Sequence, residues 1–304
     1  MLNGIIVINK GQKFTSHDVV AKMRGIAGQK KVGHTGTLDP DATGVLPICF
    51  GKATKVSELL TNKTKEYRTT LLLGKESDTQ DIWGKIEKEE KVAVSIEQVK
   101  EVIFSFQGIS MQIPPMYSAL KVQGKKLYEF AREGIEIERK PRKIEVSFIE
   151  IESIALPEIT FRVVCSKGTY IRTLCYDIGK KLGCGGLMKA LERTRVGDFT
   201  LEQAYSLEQI QDLKDHNKLQ DALISVDSLF IHLKKIHVKE EAKKWLDNGN
   251  ILRPVQTKEY EDRKLNNIFE NGEEVCVYNH INEFCAIYIV DLGREIFISK
   301  KMFI

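Results

Sequence analysis

A chain of 304 residues, 42% hydrophobic and 29% charged, is long enough for a large core plus a smaller module and has the composition of an ordinary soluble globular protein. A net charge of +4 is too small to announce a nucleic-acid partner by itself, and no run of about 18 apolar residues is present to cross a membrane. Cys49, Cys165, Cys175, Cys184, Cys276 and Cys285 are scattered, with no Cys-x-x-Cys pair and no His at ligand spacing, so neither disulfides nor a metal site is expected. Met1-Leu2-Asn3-Gly4 leads into an apolar run with no basic n-region or cleavage site, which predicts a cytoplasmic protein.

Residues 5–8, all Ile or Val, read as a short buried strand ending at Asn9-Lys10. Thr15 and Asp18 make a capping box for a helix with Val19, Val20, Met23, Ile26 and Ala27 on one face. Lys22, Arg24, Lys30 and Lys31 form a basic cluster ahead of residues 33–44. That stretch, Gly-His-Thr-Gly-Thr-Leu-Asp-Pro-Asp-Ala-Thr-Gly, holds too many backbone-freeing glycines, plus a proline, to be helix or packed strand. It is expected to be a loop that presents polar side chains, with Pro40 biasing Asp39 toward an extended conformation. Asp39 and Asp41 compete as its functional carboxylate. Val45, Leu46, Ile48 and Phe50 then enter the core and anchor the loop.

Residues 67–73 read as a strand begun by Tyr67 and ended by Gly74. Ser95 and Gln98 cap a helix with Ile96, Val99, Val102, Ile103 and Phe106 inward. Pro114-Pro115 forces an extended run, and residues 124–134 form a short helix inside a basic segment, 121–143, that carries eight Lys and Arg against four Glu. The alternation of Ile144, Val146 and Phe148, and of Ile159, Phe161, Val163 and Cys165, predicts two paired antiparallel strands. A helix follows with Ile171, Leu174, Cys175, Ile178 and Leu182 on its apolar face, placing Tyr170 and Arg172 in its first turn. An Arg there is disfavoured by the helix dipole, which points to an acidic partner. Leu187, Met188 and Leu191 suggest a short helical piece, and Ser206 with Gln209 caps another helix. Beyond residue 232, an amphipathic helix with Val238, Ala242, Trp245 and Leu246 precedes three short strands.

Four blocks carry a resemblance: 33–40 with 42–47; Lys65-Glu66-Tyr67-Arg68 with Asp78-Thr79-Gln80-Asp81; 114–121, Pro-Pro-Met-Tyr-Ser-Ala-Leu-Lys; and 165–172, Cys-Ser-Lys-Gly-Thr-Tyr-Ile-Arg. In this order they resemble the bacterial tRNA pseudouridine-55 synthases, the TruB family. The resemblance implies an α+β fold, with a catalytic domain over 1–231 built on a mixed, largely antiparallel sheet flanked by helices. It implies a mobile RNA-binding insertion near 121–143 and a small β-rich module over 232–304 like the PUA domain. It implies an isomerase acting by base flipping on the T arm of tRNA, without metal or cofactor, and nothing in the sequence demands more than a monomer.

The same resemblance selects Asp39 over Asp41 as the essential carboxylate. It pairs Arg172 with Asp39, puts Tyr67 against the target uracil, lines the base pocket with Tyr170 and Leu191, and gives His34 the space left by flipped nucleotides. Lys10, Lys121, Lys125 and Lys126 become substrate contacts, although Gly11 replaces the proline that usually follows the first of these lysines. A non-catalytic RNA-binding or RNA-folding protein is the alternative; it would have no use for one particular carboxylate beside phosphate-rich RNA.

Overall fold

The computed structural model describes residues 1–260 and 263–304. Its centre is a nine-stranded sheet. Seven strands follow the spatial order Gly4–Lys10, Thr43–Phe50, Gly186–Val196, Lys65–Leu73, Glu158–Cys165, Arg142–Ala155, Gly108–Gln112. The short Val32–His34 and Phe199–Thr200 strands attach to the second and third of these. All neighbours are antiparallel except Thr43–Phe50 and Gly186–Val196, which run parallel and pair only at Glu192 with Thr43 and Arg193 with Gly44. The sheet is therefore mixed and largely antiparallel, and its single parallel junction lies where the glycine-rich loop returns to the core.

Successive side chains of a strand face opposite ways, so a strand buried on both sides feeds two cores. Ile6, Ile8, Leu46, Ile48 and Phe50 join the main core. The helices Ser16–Ala27, Ile96–Phe104, Ile171–Leu182 and Leu207–Asp215 also contribute to it through Val19, Met23, Val99, Ile103, Leu174, Ile178 and Ile210. Ile5, Val7, Val45 and Cys49 point the other way, into a second core shared with Cys276, Tyr278, Ile287 and Phe303. Those four come from a smaller sheet ordered Lys234–His237, Glu274–Tyr278, Phe284–Asp291, Ile296–Met302, or from just after it. Capping boxes at Thr15/Asp18, Ser95/Gln98 and Ser206/Gln209 start three of the helices, satisfying amide groups a bare helix end leaves unpaired.

Several expectations are corrected. Residues 187–191 are not helical: they belong to the Gly186–Val196 strand, whose register shifts between Met188 and Ala190 and between Arg193 and Arg195. A bulge inserts a residue and resets which side chains face inward, so the apolar spacing imitates a helix. In Arg142–Ala155 a register shift after Val146 turns Phe148 to solvent, and Ile149 takes the inward position. Ile96, at the first helical position, is exposed. The expected helix from Val238 is a 3-10 turn, Glu240–Ala242, followed by the five-residue Lys243–Asp247 helix, and Trp245 faces outward. A strand absent from the sequence expectation, Lys234–His237, pairs parallel with Glu274–Tyr278; its two lysines are exposed and only Ile236 is buried, which leaves no apolar alternation to mark it. The ends of the 33–44 stretch are strand rather than loop: Val32–His34 and the start of Thr43–Phe50.

Candidate active site

The loop carrying Asp39 is fastened from several sides. Leu38 is buried in the main core, and its amide donates to Ser16 Oγ (2.9 Å), which donates back to Leu38 O (3.3 Å). Lys10 Nζ donates to Gly11 O, Phe14 O and Pro40 O at 2.8 to 2.9 Å. Arg193 donates through Nε to Val45 O (2.8 Å), through Nη2 to Gly36 O (3.2 Å) and through Nη1 to Thr37 O (3.4 Å). Ala42 N closes a turn onto Asp39 O (3.2 Å). Apolar and cationic anchors together leave the loop little freedom, while the Asp39 side chain stays 38% exposed.

Arg172 meets that carboxylate. Its Nε lies 2.9 Å from Asp39 Oδ2 and its Nη2 donates to Asp39 Oδ1 at 3.3 Å, so the guanidinium grips both oxygens. Two carbonyls complete its coordination, Thr79 O (3.0 Å) and Tyr117 O (2.9 Å), and Asp81 Oδ2 stands 3.6 Å from Nη1. Arg172 is buried at the start of the Ile171–Leu182 helix, where the dipole opposes a cation; two carboxylates offset it. That helix has no side-chain cap of its own. Instead the Gln112 amide accepts from Tyr170 N (2.9 Å) and donates to Tyr170 O (3.0 Å). Burial raises Asp81 above the usual carboxylate range, with Thr79 and Arg172 opposing. Thr79 Oγ1 donates to Asp81 Oδ1 at 2.6 Å, and Trp83 N reaches the same oxygen at 3.2 Å.

Tyr67 is the third residue of the Lys65–Leu73 strand, directly opposite Arg193 in the pairing with Gly186–Val196. Burial pushes its phenol up, and the charge of Arg193 opposes that rise. Burial likewise raises Tyr170, which is the helix N-cap rather than a first-turn residue. Leu191 pairs with Thr69 across the sheet and is buried. His34 sits edge-on to His17 with centroids 5.2 Å apart, and its Nδ1 accepts from Gly36 N at 3.3 Å. Burial first, then the charges of His17 and Arg193, lower His34 to about 4, so its ring is neutral at pH 7.

Asp39, Arg172, Tyr67 and His34 thus converge around one loop. The lysines divide. Lys10, expected to contact substrate, is fully buried and its ammonium is consumed by carbonyls; burial lowers it to about 8. Its place in the structure is that of a strut. Lys121 and Lys125–Lys126 form a small hairpin before the Leu127–Arg132 helix. Lys125 pairs with Glu133 at 2.5 Å and lies 4.7 Å over Phe130, and Lys126 packs over Tyr128 and donates to its hydroxyl at 3.3 Å. Lys121 is exposed.

Two site residues escaped sequence reasoning. Arg193 lies in a charged run, Glu192-Arg193-Thr194-Arg195, that reads as solvated surface, yet it is 1% exposed. Asp81 carries no local signal in sequence that separates it from Asp78, and only folding brings it to Arg172. Among the described residues no group of three or more His, Cys, Asp or Glu is arranged to hold a metal ion.

The chain is similar to known proteins along most of its length. Residues 24–171 match the family model described as TruB family pseudouridylate synthase, N-terminal domain, and residues 172–231 match that of the tRNA pseudouridylate synthase B C-terminal domain. A tRNA pseudouridine synthase B of Alkaliphilus oremlandii is 48% identical over 290 residues, covering 95% of this chain and 93% of the relative. One from Lachnoclostridium phytofermentans is 45% identical, with all of both chains covered. Among solved structures, one of a Cbf5–Nop10–Gar1 complex superposes with a TM-score of 0.71 at 27% identity, over 99% of this chain and 85% of the other. With family models matching residues 24–231 and relatives 45–48% identical along nearly the whole chain, the chain belongs to the TruB family of pseudouridylate synthases, and is an isomerase.

Proposed function

We propose that the protein converts uridine 55 in the T loop of tRNA to pseudouridine, with Asp39 as the essential carboxylate. The observation that carries this reading is the two-pronged contact of Arg172 with Asp39, on a loop tied down by Lys10, Ser16 and Arg193. The reaction breaks the N1–C1′ bond, forms a C5–C1′ bond, removes the C5 proton and adds one at N1. It loses no group and changes no oxidation state, so an oriented carboxylate beside a half-buried phenol is suitable equipment. The paired guanidinium holds both Asp39 oxygens and fixes the direction of the carboxylate. Tyr67 stacks on the extruded uracil, Tyr170 and Leu191 line its pocket, and neutral His34 fills the space it vacates. Flipping costs about a few kcal/mol, offset by stacking and by phosphate contacts from Lys121 and its neighbours.

This reading divides the chain into a catalytic unit over 1–231 and an RNA-binding module over 232–304; the end of the family-model match at residue 231 supports the division. The protein acts as a cytoplasmic monomer. The test uses an unmodified tRNA transcript tritiated at uracil C5. The protein should release tritium from the single T-loop position, and Asp39→Asn should abolish release while still binding the RNA. Binding without release by the unaltered protein would leave only the RNA-binding alternative.

A further inference from the structure

Arg172 has five N–H donors, and three separate stretches of chain take them. The Asp39 loop takes Nε and one proton of Nη2. Nη1 serves the turn between the Lys75–Ser77 and Ile86–Glu89 strands, donating to Thr79 O at 3.0 Å and facing Asp81 Oδ2 at 3.6 Å. The second proton of Nη2 goes to Tyr117 O, at the entry to the basic insertion. Nη2 lies closer to Tyr117 O, at 2.9 Å, than to Asp39 Oδ1, at 3.3 Å. A planar guanidinium cannot move one prong alone. Drawing Tyr117 O away therefore turns the whole group, and its longer contact with Asp39 is the first to go.

Tyr117 is placed to feel the insertion. Beyond it the segment is bonded mostly to itself: Tyr128 N donates to Ser118 O at 3.1 Å, Leu127 N to Leu120 O at 2.8 Å, and Lys125 pairs with Glu133. Arg139 Nη1 closes the segment back onto Pro114 O at 3.3 Å. A load on the insertion is thus passed to its base. There the Tyr117 hydroxyl donates to Asp78 Oδ2 at 3.4 Å, in the same turn that supplies Thr79 O, while Lys85 N holds the other Asp78 oxygen at 2.8 Å. At that length, and with Asp78 exposed, the hydroxyl bond is a catch that opens easily.

We propose that Tyr117 is a positioning residue that transmits the seating of the RNA-binding insertion to Arg172, and through it to the second prong on Asp39. Its carbonyl is the link to the guanidinium, and its hydroxyl latches the base of the insertion to the turn beside it. Alignment of the carboxylate then depends on the insertion lying in place, which ties the chemical step to a gripped RNA. The inference rests on the synthase reading and deepens it.

The experiment measures transcript affinity, and single-turnover tritium release at saturating protein, for the unaltered protein, Tyr117→Ala, Tyr117→Phe, Arg172→Lys and the two double variants. Tyr117→Ala should bind the transcript within about threefold of the parent and release tritium about tenfold more slowly, the scale of a partly misaligned reacting group. Tyr117→Phe, which loses the latch but keeps the ring, should fall between the two. In the Arg172→Lys background no Nη2 is left to share, so Tyr117→Ala should cost less than about twofold there. A tyrosine that serves only the fold or an RNA contact predicts the same factor in both backgrounds, and that result overturns the inference, as does a Tyr117→Ala protein of parental rate. If Tyr117→Ala does not fold by thermal melt, the same comparison is read on Tyr117→Phe. Failure of the parent itself to release tritium sinks the synthase reading, whereas parental release with equal factors in both backgrounds sinks this inference alone.

Discussion

Gly44 lies against the backbone of Arg193 so closely that a Cβ built on it would stand 2.2 Å from Arg193 O and 2.8 Å from Arg193 N. Its φ of +105° is also one that side-chain-bearing residues avoid. This is the parallel junction where the loop re-enters the sheet. Gly44→Ala should therefore separate the strands and loosen the Asp39 loop, lowering stability by more than about 2 kcal/mol. Urea unfolding monitored by circular dichroism would measure it; an unchanged midpoint would show that the junction yields without cost.

Arg172→Lys keeps the charge but offers one compact ammonium where the guanidinium serves both Asp39 oxygens and the carbonyls of Thr79 and Tyr117. The expected loss is about 10²-fold in single-turnover rate with little change in RNA affinity, since misplacement of a reacting group by about 1 Å costs that much. Asp81→Asn should cost less, about tenfold, because its carboxylate stands 3.6 Å off the same guanidinium and acts on orientation alone. Equal rates for Asp81→Asn and the parent would remove Asp81 from the site.

His34 carries a pH signature. Its folded value of about 4 lies below the ordinary 6.5, so between these values the unfolded chain binds more protons than the folded one. The stability of the folded state is therefore complete above pH 6.5 and falls as pH drops toward 4. His34→Gln should flatten that part of the curve, read as urea midpoints at intervals from pH 7 to 4.5. A parallel curve for the variant would assign the acid sensitivity to other groups.

Among Lys121, Lys125 and Lys126, the Lys121 ammonium has no side-chain partner among the described residues, whereas Lys125 and Lys126 are engaged by Glu133, Phe130 and Tyr128. Lys121→Ala should weaken tRNA binding and reduce the slope of log affinity against log salt by about one phosphate contact. Lys126→Ala should act first on the order of the insertion, lowering affinity with a smaller change in slope. Identical slopes for Lys121→Ala and the parent would mean that this lysine touches no phosphate.

How much of this was legible in advance depended on whether the signal was local. The capping boxes at Thr15, Ser95 and Ser206 are local chemistry and start helices where the sequence predicts. The Gly4–Lys10 and Glu158–Cys165 strands, with uninterrupted patterns, were equally readable. Gly186–Val196 was not, because two bulges within eleven residues destroy the alternation that identifies a strand. Around Asp39 the loop was readable from glycine and proline content, but its fastenings come from residues 10, 16 and 193, which meet only after folding. Lys10 and Arg193 illustrate the limit from both sides. Each looks like surface charge in sequence, and each is buried because backbone carbonyls are brought to it.

The second core has a bearing on how the protein is made. Ile5 and Val7 leave the ribosome long before Cys276, Tyr278, Ile287 and Phe303, which share their core. Throughout that interval one side of the strands under the catalytic loop is only partly covered, by residues such as Val56, Leu60, Phe199 and Val226, even after the helices have closed the other side. The nascent chain thus carries a partly exposed apolar strip for most of its translation, and the rare moment for misassembly or chaperone capture falls before the smaller sheet is complete rather than at the active site.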